Sequence, residues 1–181
     1  MTPEGLDDEC RTGFVDLIVK ARTTTELDGW ASEPEGALAL VVLLDQLSRN
    51  VFRGTADAFS GDAKAASIAV QAIARGLDRK VPLARAVVFY MPLMHSESLL
   101  AQVAAKSCIE AFEARCAVAG DEAMRPFAAK MLQGAQVHLE VIDRFGRYPS
   151  RNVALGREST EAEVEFLKER PSGFPPMGGP L

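Results

Sequence analysis

The apolar run "ALALVVLL", Ala37 to Leu44, restricts the fold of this chain more than any other feature, because it leads straight into Asp45, Gln46, Arg49 and Asn50. A membrane span needs about 20 apolar residues, so this segment is far too short to be one. As a helix it is apolar on every side and has to be enclosed by other elements rather than laid across a surface. Just upstream, Ser32-Glu33-Pro34-Glu35 reads as a capping box with proline in the first helical turn. The sequence therefore predicts a central buried helix whose polar end emerges directly from the core, where charges need partners.

The helical period continues through the rest of the chain. Leu6, Cys10, Phe14, Leu17, Ile18 and Ala21 share one face of a first helix. Gly54 is placed to stop the central helix, Thr55 and Asp62 are N-cap candidates for the next, and Gly76 closes "AKAASIAVQAIARG". Pro82 opens a helix that Pro92 interrupts, and a long amphipathic helix follows from His95 to Gly120. Another runs up to Gly146, weakened at Gly134 by about 1 kcal/mol relative to alanine. Thr160 and Glu163 form a second capping box before "EVEFLKER". No strand pattern competes with these. The expected fold is all-α: a single domain over residues 1–170, with about six or seven helices packed as antiparallel, tetratricopeptide-like hairpins, and a Pro/Gly-rich tail over 171–181.

A net charge of −5 argues against nucleic acid, whose binders carry a clustered basic excess. The sequence has neither a membrane-spanning segment nor an N-terminal signal pattern, and it reads as cytoplasmic. Cys10, Cys108 and Cys116 lack CxxC or metal-ligand spacing, which fits free thiols in a reducing compartment.

The tetrapeptide Ser-Arg-Asn-Val occurs at Ser48–Val51 and again at Ser150–Val153, three tetratricopeptide periods of about 34 residues apart. The landmarks of such repeats are missing in between. Both copies adjoin a helix end rich in arginine, and the only two histidines, His95 and His138, lie near helix junctions or arginines. Three readings are open. In the first, i,i+4 pairs such as Asp45–Arg49, Glu140–Arg144 and Asp143–Arg147 form a purely structural network. In the second, Asp45 holds one arginine bidentately while others face an anion. Arg49, Arg53, Arg144, Arg147 and Arg151 then bind a carboxylate or phosphate, and Asn50 and Asn152 orient it. His95 or His138 exchanges a proton, tuned by Asp45, Glu97 or Asp143. In the third, His95, Glu97 and His138 hold a metal, without support from an HExxH or Glu-x-x-His pattern. No P-loop, dinucleotide fingerprint or nucleophile elbow is present, so no cofactor is assigned.

The blocks "LALVVLLDQLSRNVFRGTADAF", "FYMPLMHSESL" and "RFGRYPSRNVALGRESTEAEVEFL" closely resemble the signature blocks of a mainly bacterial family, domain of unknown function 924, over roughly Leu6 to Phe174. The resemblance implies an all-helical protein related to tetratricopeptide-like hairpins. It carries over Asp45, Gln46, Arg49, Asn50, Arg53 and Gly54, then His95, Ser96 and Glu97. From the third block it carries over His138, Arg144, Gly146, Arg147, Arg151, Asn152, Gly156 and Arg157. Ser48, Ser98 and Ser150 stand where members usually have proline, aspartate and histidine, and a "FWFG"-like segment ahead of the first helix is missing. The expected function is a small-molecule enzyme or binding protein for an anionic ligand. The alternatives are a helical-hairpin module for a protein partner or homo-oligomer, and a site retained in form but inactive.

Overall fold

Helix α1 (Leu6–Thr23) opens the described part of the chain, residues 5–173 of a computed structural model. Asp7, Asp8 and Glu9 occupy its first turn, where acidic groups oppose the positive end of the helix dipole. Cys10, Ile18 and Ala21 are buried as the period predicts, whereas Phe14 and Leu17 are 41% and 36% exposed. The buried stripe is thus narrower than the apolar pattern, because α1 packs chiefly on the central segment alone.

The central segment is helical but not uniformly α. It comprises α2 (Pro34–Val41), a π-helical stretch Val42–Leu47, and α3 (Ser48–Val51). Pro34 sits in the first turn, as its fixed φ favours. The capping box expected at Ser32 is not formed: Ser32 donates its hydroxyl to Gly29 O at 2.8 Å, and Glu33 occupies the N-cap without a side-chain bond. Gly36 allows the short 3-10 turn Asp28–Ser32 to press onto α2, since a Cβ there would lie 2.3 Å from Trp30 O. Ser48, the first residue after the π stretch, donates its hydroxyl five residues back to Leu43 O at 3.0 Å. Leu40, Val41, Leu44 and Asp45 are completely buried, so the enclosure expected from the apolar run is real.

Helix α4 (Asp62–Ala74) packs on α2. Its N-cap is Gly61, and Asp62 is its first residue; neither Thr55 nor Asp62 caps a helix with its side chain. Gly61 comes so close to the central helix that a Cβ would lie 2.6 Å from Leu44 O. Next come α5 (Leu83–Ala86), a 3-10 turn Val87–Tyr90, and α6 (Met91–His95). Pro92 does not interrupt a helix as the sequence suggests. It lies in the first turn of α6, where its missing N–H costs little, and the break is the 3-10 turn before it.

After Pro92 the contacts divide the chain into two compact units, Met1–Pro92 and Leu93–Leu181. The second is built on a hairpin of α7 (Leu99–Val118) and α8 (Arg125–Phe145). Ser98 caps α7 by accepting the Ala101 N–H, so the helix begins at Leu99 rather than at His95. Gly76, Gly120 and Gly146 follow helix ends with positive φ of 68, 66 and 68°, as their placement predicts. Helix α9 (Glu161–Glu169) carries the expected Thr160–Glu163 capping box, and its Phe166 packs on Val141, Ile142 and Tyr148. The proline-rich tail beyond residue 173 lies outside the described residues. Among those residues there is no strand, no helix long and apolar enough to cross a membrane, and three free cysteines.

Candidate functional site

In the first unit the polar end of the central helix meets carboxylates from two other helices. Arg49 donates to both oxygens of Asp62 at 3.0 and 3.0 Å and to Asp45 O at 2.6 Å, and it lies 3.2 Å from the Asp45 carboxylate. Gln46 donates its amide to that same buried carboxylate. The bidentate partner of Arg49 is therefore Asp62, which the sequence offered only as a cap. Asn50 donates to Asp7 at 2.9 Å, and Arg53 donates to it at 2.7 and 3.1 Å. The hydrogen bond from Arg53, followed by that from Asn50, holds the Asp7 carboxyl at about 2.

The second unit gathers the histidines. His95 ends α6 and His138 lies on α8, with ring centroids 6.1 Å apart and planes tilted by 49°. His138 Nδ1 is 2.8 Å from Gly134 O. A carbonyl can only accept, so Nδ1 carries the proton and the lone pair of the neutral ring sits on Nε2. Tyr148, 1% exposed, meets His138 in a T-shaped contact at 5.7 Å and 76°. The Arg151 guanidinium lies 4.6 Å from the centre of the Tyr148 ring and donates to His95 O at 2.8 Å.

Beside this cluster runs a chain of ion pairs. Arg157 donates to Glu97 at 2.7 and 2.9 Å, and the Tyr148 N–H donates to Glu97 at 2.8 Å. Burial pushes the Glu97 carboxyl up, but the Arg157 hydrogen bonds, the Tyr148 N–H and the nearby arginine charges outweigh it and leave the group below its usual range. Arg157 Nε donates to Asn152 Oδ1 at 3.0 Å, and Asn152 Nδ2 donates to Glu163 at 3.3 Å. Arg147 closes the chain with bonds of 2.7 and 2.8 Å to Glu163. The Arg147 bond is the main cause that holds the Glu163 carboxyl at about 2.

Several expectations are revised by this geometry. Arg147 turns to Glu163 instead of Asp143, while Arg144 lies over the Phe145 and Phe166 rings at 4.7 and 5.9 Å and Glu140 accepts from Gln136. The ridge of i,i+4 pairs on α8 is therefore not formed. The metal set of His95, Glu97 and His138 is not assembled either, because Glu97 is committed to Arg157 and the Tyr148 N–H. Among the described residues no group of three or more His, Cys, Asp or Glu side chains is arranged to hold a metal. Asn152 is 1% exposed and bridges Arg157 to Glu163. Ser98 caps α7, a task an aspartate there would also perform.

Tyr148, Gln102, Asp7 and the network role of Glu163 are what sequence reasoning missed. Tyr148 had one available signal, its place in "GRYPSRN" within the third block. Gln102 had none, being a single polar residue on an apolar helix face.

No curated protein matches the chain at a significant level. A solved structure from Agrobacterium tumefaciens, described as a protein of unknown function, is 37% identical with a TM-score of 0.76; the match covers 90% of this chain and 84% of that one. The sequence model of the bacterial proteins of unknown function designated DUF924 matches residues 1–171, and the chain belongs to that family.

Proposed function

We propose that the second unit binds an anionic small molecule, a carboxylate or phosphate, beside Arg151 and exchanges a proton with it through His95 and His138. One observation carries the reading: two imidazoles with centroids 6.1 Å apart share their surroundings with a guanidinium bonded to the His95 carbonyl. His138, with its proton on Nδ1, offers Nε2 as the base. Arg151 neutralises the anion, and His95 is the partner acid. In this reading Arg49, Asn50 and Arg53 serve the first unit through Asp62, Asp45 and Asp7, and Arg147 and Asn152 support the loop that carries Arg151.

A thermal-shift titration with inorganic phosphate and short carboxylic acids tests the proposal. A ligand of the folded state raises the midpoint by mass action, and Arg151→Ala removes the response. The reading fails if neither anion class moves the midpoint or the histidine ring signals of the wild-type protein.

A further inference from the structure

Tyr148 has no motif of its own, yet it joins the parts of the histidine cluster. Its ring touches His138 on α8 and lies beneath the Arg151 guanidinium. Its hydroxyl accepts from Gln102 Nε2 at 2.8 Å and donates to the carbonyl of Met94, the residue before His95. The direction is set by chemistry, because an amide nitrogen only donates and a carbonyl only accepts.

Gln102 is itself held in one orientation. It is completely buried, with Nε2 2.8 Å from Met94 O and 2.6 Å from Ser96 O, while Oε1 has no hydrogen-bond partner. Turning the amide over would place an oxygen against those carbonyls, so the molecule tolerates the orphaned Oε1 instead. The Tyr148 backbone is committed as well, its N–H to Glu97 and its carbonyl to Arg157.

We infer that Tyr148 is the positioning residue of the site proposed above. Its ring sets the planes of the His138 imidazole and the Arg151 guanidinium, and its hydroxyl ties both to the end of α6 that presents His95. The inference rests on the anion-site reading for its purpose, but its geometric content can be tested separately.

The test is nitrogen-15 NMR of the histidine rings in wild type, Tyr148→Phe and Tyr148→Leu, each with and without inorganic phosphate. Wild type and Tyr148→Phe should keep His138 in the Nδ1–H tautomer. Tyr148→Leu should give a tautomer mixture and weaken phosphate binding about tenfold, roughly the value of one hydrogen bond to a charged group. Tyr148→Met supplies the same ring-free readout if Tyr148→Leu does not fold. Tyr148→Phe, which keeps the ring, should weaken phosphate about threefold as the α6 end loosens, roughly the value of one neutral hydrogen bond. A folded ring-free variant with the wild-type tautomer and phosphate affinity would overturn the role of the ring, and an unchanged affinity in Tyr148→Phe would overturn that of the hydroxyl. If wild type ignores phosphate and carboxylates, the anion site fails, while the tautomer comparison still decides what Tyr148 positions.

Discussion

Arg157 grips Glu97 with two nitrogens, at 2.7 and 2.9 Å, across 60 residues of chain. Glu97 is thereby an anchor of the loop after α8. The pair is partly shielded, with side chains 23% and 25% exposed, so Arg157→Ala should cost about 2 kcal/mol, between the values for exposed and fully buried pairs. Urea unfolding measures this, and an unchanged midpoint would show the pair to be ornamental.

Acid should unfold the protein partly through Glu163. Its carboxyl is held at about 2 instead of 4.5, first by the Arg147 hydrogen bond and against the opposing effect of burial. A carboxyl depressed in the folded state contributes stability that is complete above its unfolded value and is lost as pH falls through the folded one. Stability should therefore decline between about pH 5 and pH 2, and Glu163→Gln should flatten part of that decline in urea titrations at stepped pH. Asp7, also held at about 2, accounts for a share that remains in the variant.

Arg49→Ala should be among the most damaging single changes in the first unit. It would remove the guanidinium beside the completely buried Asp45 and leave a buried charge poorly compensated, at a cost of about 3–5 kcal/mol. Adding Asp45→Asn to Arg49→Ala should restore part of the loss, and strict additivity in that double-mutant cycle would argue against direct coupling.

Gly134→Ala should stabilise the protein. The glycine lies inside α8, and a Cβ there would meet only Met94 Cε, at 3.7 Å, an ordinary contact. The gain should be about 0.5–1 kcal/mol in chemical denaturation, with the His138 tautomer retained because the Gly134 carbonyl is unchanged.

Local chemistry made much of this protein legible in its sequence. Pro34 at a helix start, the glycines 76, 120 and 146 after helix ends, the Thr160–Glu163 capping box and the Asp45–Arg49 pair all join residues a few positions apart. The run from Ala37 to Leu44 likewise demanded burial, and it is buried except at the half-buried Ala39 and Val42. Tertiary structure alone decided partners. Arg49 found Asp62, Arg53 found Asp7, Arg147 found Glu163 and Arg157 found Glu97, across separations of 13, 46, 16 and 60 residues. It also turned Val42–Leu47 into a π-helix and placed Tyr148 between His138 and Arg151. Hydrophobic period says which face of a helix is covered, and spacing says which neighbours share a turn. Neither says which of several carboxylates a long, flexible arginine will reach, because that depends on how the helices pack and which charges the packing removes from water.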